Sequence, residues 1–103
     1  GPLNWHFHAA LYAPANRNFT MGVLQKMHHH SDRYFRMQLF LARGGATAND
    51  EHRAIAAAVA EKNVSRASQL MRDHILGAGH SLCALLREQR RNSAAAGSPS
   101  VAR

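Results

Sequence analysis

Four side chains that could hold a metal ion sit on three separate segments of this chain. They are Asn4 and His8 in Asn4-x-x-x-His8, His52 in Glu51-His52-Arg53-Ala54-Ile55, and His74 in Met71-Arg72-Asp73-His74-Ile75. Neutral imidazole nitrogen is a common ligand of zinc, nickel, copper and iron, and a buried imidazole without a partner is costly. Side chains three and four apart share one side of a helix, which places each of these residues on an inward stripe. Asn4 and His8 align with Leu11 and Tyr12, His52 with Ile55, Ala56 and Val59, and His74 with Ala67, Leu70, Met71 and Ala78. Convergence of the four donors would make a metal centre or a polar pocket. Taken singly, His52 or His74 reads as an ordinary hydrogen-bonded histidine, and Asn4 as a helix cap.

The elements that must position them are read as four helices. The first covers about residues 3 to 13 and ends near Pro14, which disfavours helix just before it. The second covers about 17 to 42, with Val23, Met27, Tyr34, Met37 and Leu41 as its core stripe, and stops at Gly44-Gly45. Thr47-Ala48-Asn49-Asp50 resembles a capping box that opens a third helix reaching about residue 61. Asn63 or Ser65 marks the next turn, and a fourth helix covers about 65 to 91, weakened at Gly77 and Gly79. No segment alternates with period two, so strands are not expected. The fold class is therefore all-α, an antiparallel helical bundle over residues 1–92, with 93–103 a small, polar, low-complexity tail. The chain is expected to be a fragment lacking upstream helices.

Register brings two of the histidines to one level. If the third and fourth helices form a hairpin about Asn63, His52 lies eleven residues before the pivot and His74 eleven after it. At 1.5 Å rise per residue each would be about 16 Å from the turn, and neighbouring axes about 8 to 10 Å apart suit two inward imidazoles sharing one ion. Asn4 and His8, one turn apart on one face, can offer two ligands to one centre. The same arithmetic does not bring the first helix level with the other pair.

Size and charge narrow the function. At 103 residues and 11.4 kDa the chain has room for one domain. Its formal charge of +7 is spread over thirteen scattered Lys and Arg residues, apart from Arg87, Arg90 and Arg91, which favours general attraction to anions over a dedicated nucleic-acid groove. Cys83, the single cysteine, lies among Leu82, Ala84, Leu85 and Leu86 and reads as a small buried apolar residue. There is no apolar run long enough to cross a bilayer and no leader-like segment, so no membrane partner and a cytoplasmic location are expected.

His28-His29-His30 looks like a metal tract, but consecutive helix residues point about 100° apart and cannot converge on one ion. Only His30 shares the Val23, Met27, Tyr34 stripe. Arg33, whose planar fork suits a carboxylate, is the candidate effector contact. His6 and His80 are expected on the surface or at a dimer contact. A metal-dependent hydrolase would need a general base beside the metal. Glu51 adjoins His52 but points about 100° away along the helix, and no other inward carboxylate is evident, so no enzyme is expected.

The runs Leu3-Asn4-Trp5-His6-Phe7-His8-Ala9-Ala10-Leu11-Tyr12-Ala13-Pro14-Ala15-Asn16, Glu51-His52-Arg53-Ala54-Ile55 and Ala67-Ser68-Gln69-Leu70-Met71-Arg72-Asp73-His74-Ile75 resemble the FadR-type C-terminal (FCD) domain of GntR-family transcription regulators. The resemblance covers residues 3 to 86 or so and implies an effector-binding helical bundle, part of a homodimer, joined to a winged helix-turn-helix that binds operator DNA. It also implies a divalent metal, zinc or nickel, held by an Asp or Asn, a His one turn later and two further His. These map onto Asn4, His8, His52 and His74. Asn4 stands where aspartate is frequent, which weakens attraction for the cation. Three imidazoles and an amide leave the ion's charge uncompensated, so a small carboxylate metabolite is the expected effector. The competing readings are the hydrolase and a metal-free sensor of an apolar effector.

Overall fold

The computed structural model describes residues 2–42 and 46–97. All regular structure among them is helical, as the periodicity requires: α1 (Pro2–Tyr12), a 3-10 turn (Ala13–Ala15), α2 (Asn18–Ala42), α3 (Ala46–Ala60) and α4 (Val64–Ala96). The chain divides into two compact units, residues 1–42 and 43–103.

In the first unit α1 gives way at Pro14, and Asn16 takes a left-handed conformation with φ 52° that turns the chain into α2. α2 then packs on α1, with the Trp5 and His28 rings 5.3 Å apart. The stripe expected on α2 is inward only in part: Tyr34 and Met37 are half-buried, as expected. Val23 and Met27 are exposed, whereas Met21, Leu24, His28, Ser31 and Phe35 are half-buried. In the first half of α2 the half-buried face is therefore displaced by roughly one residue, about 100°, from the expected one. Packing against α1 has selected a face that mixes polar and apolar side chains. The side chain of Leu41 and the Gly44-Gly45 stop lie outside the described residues.

The second unit is a helical hairpin of α3 against α4. Its turn satisfies the helix end without glycine. Lys62 adopts φ 56°, its N–H donates to Val59 O at 3.0 Å, and Asn63 N–H donates to Ala58 O at 3.0 Å. These are the paired bonds of a Schellman closure. Asn63 then caps α4, its side-chain oxygen accepting from the Arg66 N–H at 3.1 Å. The turn thus falls at the first of the two positions that the sequence offered.

Two local expectations shift. α3 already includes Ala46, so Thr47 lies inside the helix, and Asp50 pairs with Arg53 at 3.2 Å instead of capping. α4 runs unbroken through Gly77 and Gly79 and continues to Ala96, past Asn92. A methyl group at either glycine would meet nothing within 4 Å, so these residues only lower propensity.

Burial is sparse. Ile55 and Ala58, each 1% exposed, are the buried apolar side chains among the described residues, joined by the polar His8 and His74. On α3, Ala56 and Val59 are exposed, so the stripe shared by His52 and Ile55 continues through Ala58. On α4, Ala67, Leu70, Met71 and Ala78 flank His74 as expected, all at least half-buried. Cys83 is exposed, contrary to expectation. Its leucine neighbours carry the stripe, with Leu82 half-buried one position before it and Leu85 and Leu86 two and three positions after it.

The turn gives the first test. A left-handed lysine costs about 1 to 2 kcal/mol and glycine loses up to about 1 kcal/mol of that benefit to the unfolded chain. Lys62→Gly should therefore raise the urea midpoint by up to about 1 kcal/mol in stability, while Asn63→Ala should lower it by about 1 kcal/mol through loss of the cap. Changes of the same sign in both variants would exclude this account of the turn.

Candidate metal centre

Within the second unit, the hairpin brings His52 and His74 to one level. Their Nε2 atoms stand 3.1 Å apart and their ring centroids 4.7 Å apart, the planes inclined at 67°. The symmetry of eleven residues on either side of Asn63 is thus realised in side-chain contact. Two imidazole lone pairs cannot face each other at this distance, so a proton or a cation must lie between the rings. Two nitrogens each about 2.0 to 2.1 Å from a tetrahedral zinc would be about 3.3 Å apart, and at a right angle about 2.9 Å. The observed separation falls between these values, and the pair fits a shared metal ion.

Glu51 completes the arrangement in a way that helical direction did not anticipate. Its Oε2 lies 2.5 Å from His74 Nδ1. His74 is 9% exposed and has both ring nitrogens engaged, Nε2 by His52 and Nδ1 by Glu51. Glu51 does point away from His52 on α3, but its long side chain crosses to the far edge of the ring on α4. This contact corrects the expectation that Glu51 is directed away from the site. Beside it, an open groove of about 340 Å³ is lined by Thr47, Asp50, Ala54, Leu70 and Asp73 together with Glu51 and His74.

The electrostatics favour a neutral ligand. Burial foremost, then the charge on His74, push the His52 pKa below its ordinary 6.5, and Glu51 opposes them only in part. A neutral imidazole has the free electron pair that metal binding requires.

In the first unit, Asn4 is half-buried and His8 is buried on the same face of α1. The His8 ring lies edge-on to Phe7 at 5.3 Å and 6.1 Å from Tyr12 one turn later. Burial raises the Tyr12 phenol pKa. Of the histidine tract, His28 turns inward against Trp5 while His30 is exposed. This corrects the expectation that His30 follows the inner stripe. His6 and His80 are exposed, as expected. Arg33 is exposed, its guanidinium 4.6 Å over the Tyr34 ring and donating to the Tyr34 hydroxyl at 2.6 Å.

The FCD domain profile matches residues 2–77, a span that includes His8, His52 and His74. The chain belongs to the FCD family. FCD domains are the FadR-type C-terminal, effector-binding regulatory domains of GntR transcription regulators, which bind small molecules, usually act as dimers and are generally not enzymes. Domains of this family often bind metals. No curated protein and no solved structure matches the chain significantly. No helix among the described residues is long and apolar enough to cross a membrane.

The lowered His52 pKa gives a second test, with chelator present to keep metal out. The unfolded chain takes up a proton on this ring at higher pH than the folded chain does. Its contribution to stability is therefore complete above the unfolded value and is lost as pH falls through the folded one. Urea midpoints measured from about pH 7.5 down to about pH 5.5 should decline, and His52→Gln should flatten the decline. An identical slope in the variant would refute this assignment.

Proposed function

We propose that this FCD domain senses a small carboxylate metabolite through a divalent metal ion, zinc or nickel, held by Asn4, His8, His52 and His74. The observation that carries the reading is the 3.1 Å separation of the His52 and His74 Nε2 atoms, a ligand pair already spaced for one ion. His8, buried on its helix, and Asn4 one turn before it supply the remaining donors of the family pattern. All four ligands are neutral, so the ion keeps its charge toward any further ligand and an anionic oxygen is the favoured one. Arg33 is the outer contact for the effector carboxylate, since a guanidinium has five N–H donors and only one is given to Tyr34.

Regulation then follows from linkage. The effector changes operator binding only if it binds two arrangements of a homodimer with unequal affinity, and those arrangements position the winged helix-turn-helix domains of the full regulator. The hydrolase reading loses its candidate base, because the Glu51 carboxylate is engaged with His74 Nδ1.

Protein purified without an affinity tag should contain one zinc or nickel ion per chain by elemental analysis, with an anomalous X-ray peak at the histidine cluster. His52→Ala and His74→Ala should each lower metal affinity at least about 100-fold, the upper range for losing even an outer contact. Calorimetry with small mono-, di- and tricarboxylates should show binding that disappears after chelation and returns with metal. Equal carboxylate affinity with and without metal would sink the proposal.

A further inference from the structure

We infer that Glu51 is a positioning residue that fixes the tautomer of His74 and so presents His74 Nε2 as a metal ligand; the inference rests on the metal-sensing reading above. An ionised carboxylate only accepts hydrogen bonds. With Glu51 Oε2 at 2.5 Å from His74 Nδ1, the ring proton belongs on Nδ1 and the electron pair on Nε2. That electron pair faces His52 Nε2 at 3.1 Å. The carboxylate thus decides which nitrogen of a buried ring points its lone pair at the ion.

The same geometry sets the state of the second ring. If His74 Nε2 carries no hydrogen, the hydrogen in the Nε2···Nε2 contact comes from His52. In the metal-free protein the two neutral rings are therefore opposite tautomers, His74 protonated on Nδ1 and His52 on Nε2. With a metal ion held between the rings, His52 would offer Nε2 as the Nδ1–H tautomer, with no change in ring charge. Glu51 places a carboxylate next to the ligand shell, which partly compensates for the amide of Asn4.

Glu51 touches neither the ion nor an effector in this scheme and acts entirely through His74. Its 46% exposed side chain borders the open groove, so truncation leaves no cavity in the buried part of the hairpin.

Nitrogen-15 NMR of the histidine rings in the full, metal-free chain tests the inference, together with zinc affinity measured by chelator competition. Wild type should show His74 as the Nδ1–H tautomer and His52 as Nε2–H. Glu51→Ala should release His74 to a mixture of tautomers and weaken zinc binding about 10- to 100-fold. Glu51→Gln, whose amide oxygen still accepts from Nδ1–H, should keep the tautomer and recover part of the affinity. A His74 ring protonated on Nε2 in wild type, or a Glu51→Ala variant with unchanged tautomer and zinc affinity, would overturn it. A wild type that takes up neither zinc nor nickel while its His74 tautomer still depends on Glu51 would overturn the metal-sensing reading and support the role of Glu51.

Discussion

The contact between two imidazole rings is the constraint around which the α3–α4 hairpin is organised. Histidine is a poor residue to bury at a helix interface unless each nitrogen is satisfied. Here one nitrogen of His74 faces a carboxylate and the other faces His52. The hairpin must hold register to keep these contacts, since a slip of one residue would turn a ring by about 100°. The Schellman closure at Lys62 and the cap at Asn63 fix that register, and they do so eleven residues from either ring.

Charge makes the centre selective about what it accepts. Two protonated imidazoles at 3.1 Å would repel strongly, so the pair holds a single proton or a cation between its facing nitrogens. The remainder of the chain is basic, with a formal charge of +7. The acidic groups Asp50, Glu51 and Asp73 nevertheless line the groove at His74. Two of them have other partners, Asp50 an ion pair with Arg53 and Asp73 a hydrogen bond from Gln69. Glu51 is the one whose bond reaches the imidazole pair.

Much of this was legible because hairpin register is arithmetic. Helix number, the turn at Asn63 and the meeting of His52 with His74 follow from period, breakers and equal spacing about a pivot. The inward face of α2 followed only in part, since its half-buried stripe includes His28 and Ser31 while Val23 and Met27 stay exposed. Hydrophobicity alone therefore places Tyr34 and Met37 but not the first half of the stripe. Glu51 was missed because a helical wheel gives the direction of Cβ, whereas a glutamate can reach a ring on the neighbouring helix from the flank of the interface. The adjacency of Glu51 to His52 was a visible clue, and what it lacked was the distance across to His74. Cys83 shows the same limit: apolar neighbours in sequence did not place it on the buried side.

The unequal lengths of the paired helices carry a mechanical implication. α3 has 15 residues and α4 has 33, so nearly half of α4 projects beyond the reach of its partner. From His74 to Ala96 the rod is about 33 Å long. Pivoting it by about 5° at the imidazoles displaces its tip by about 3 Å, as follows from the same helical rise. The imidazole pair thus lies in the part of α4 nearer the turn, and any change in the direction of the helix there would be largest at its far end.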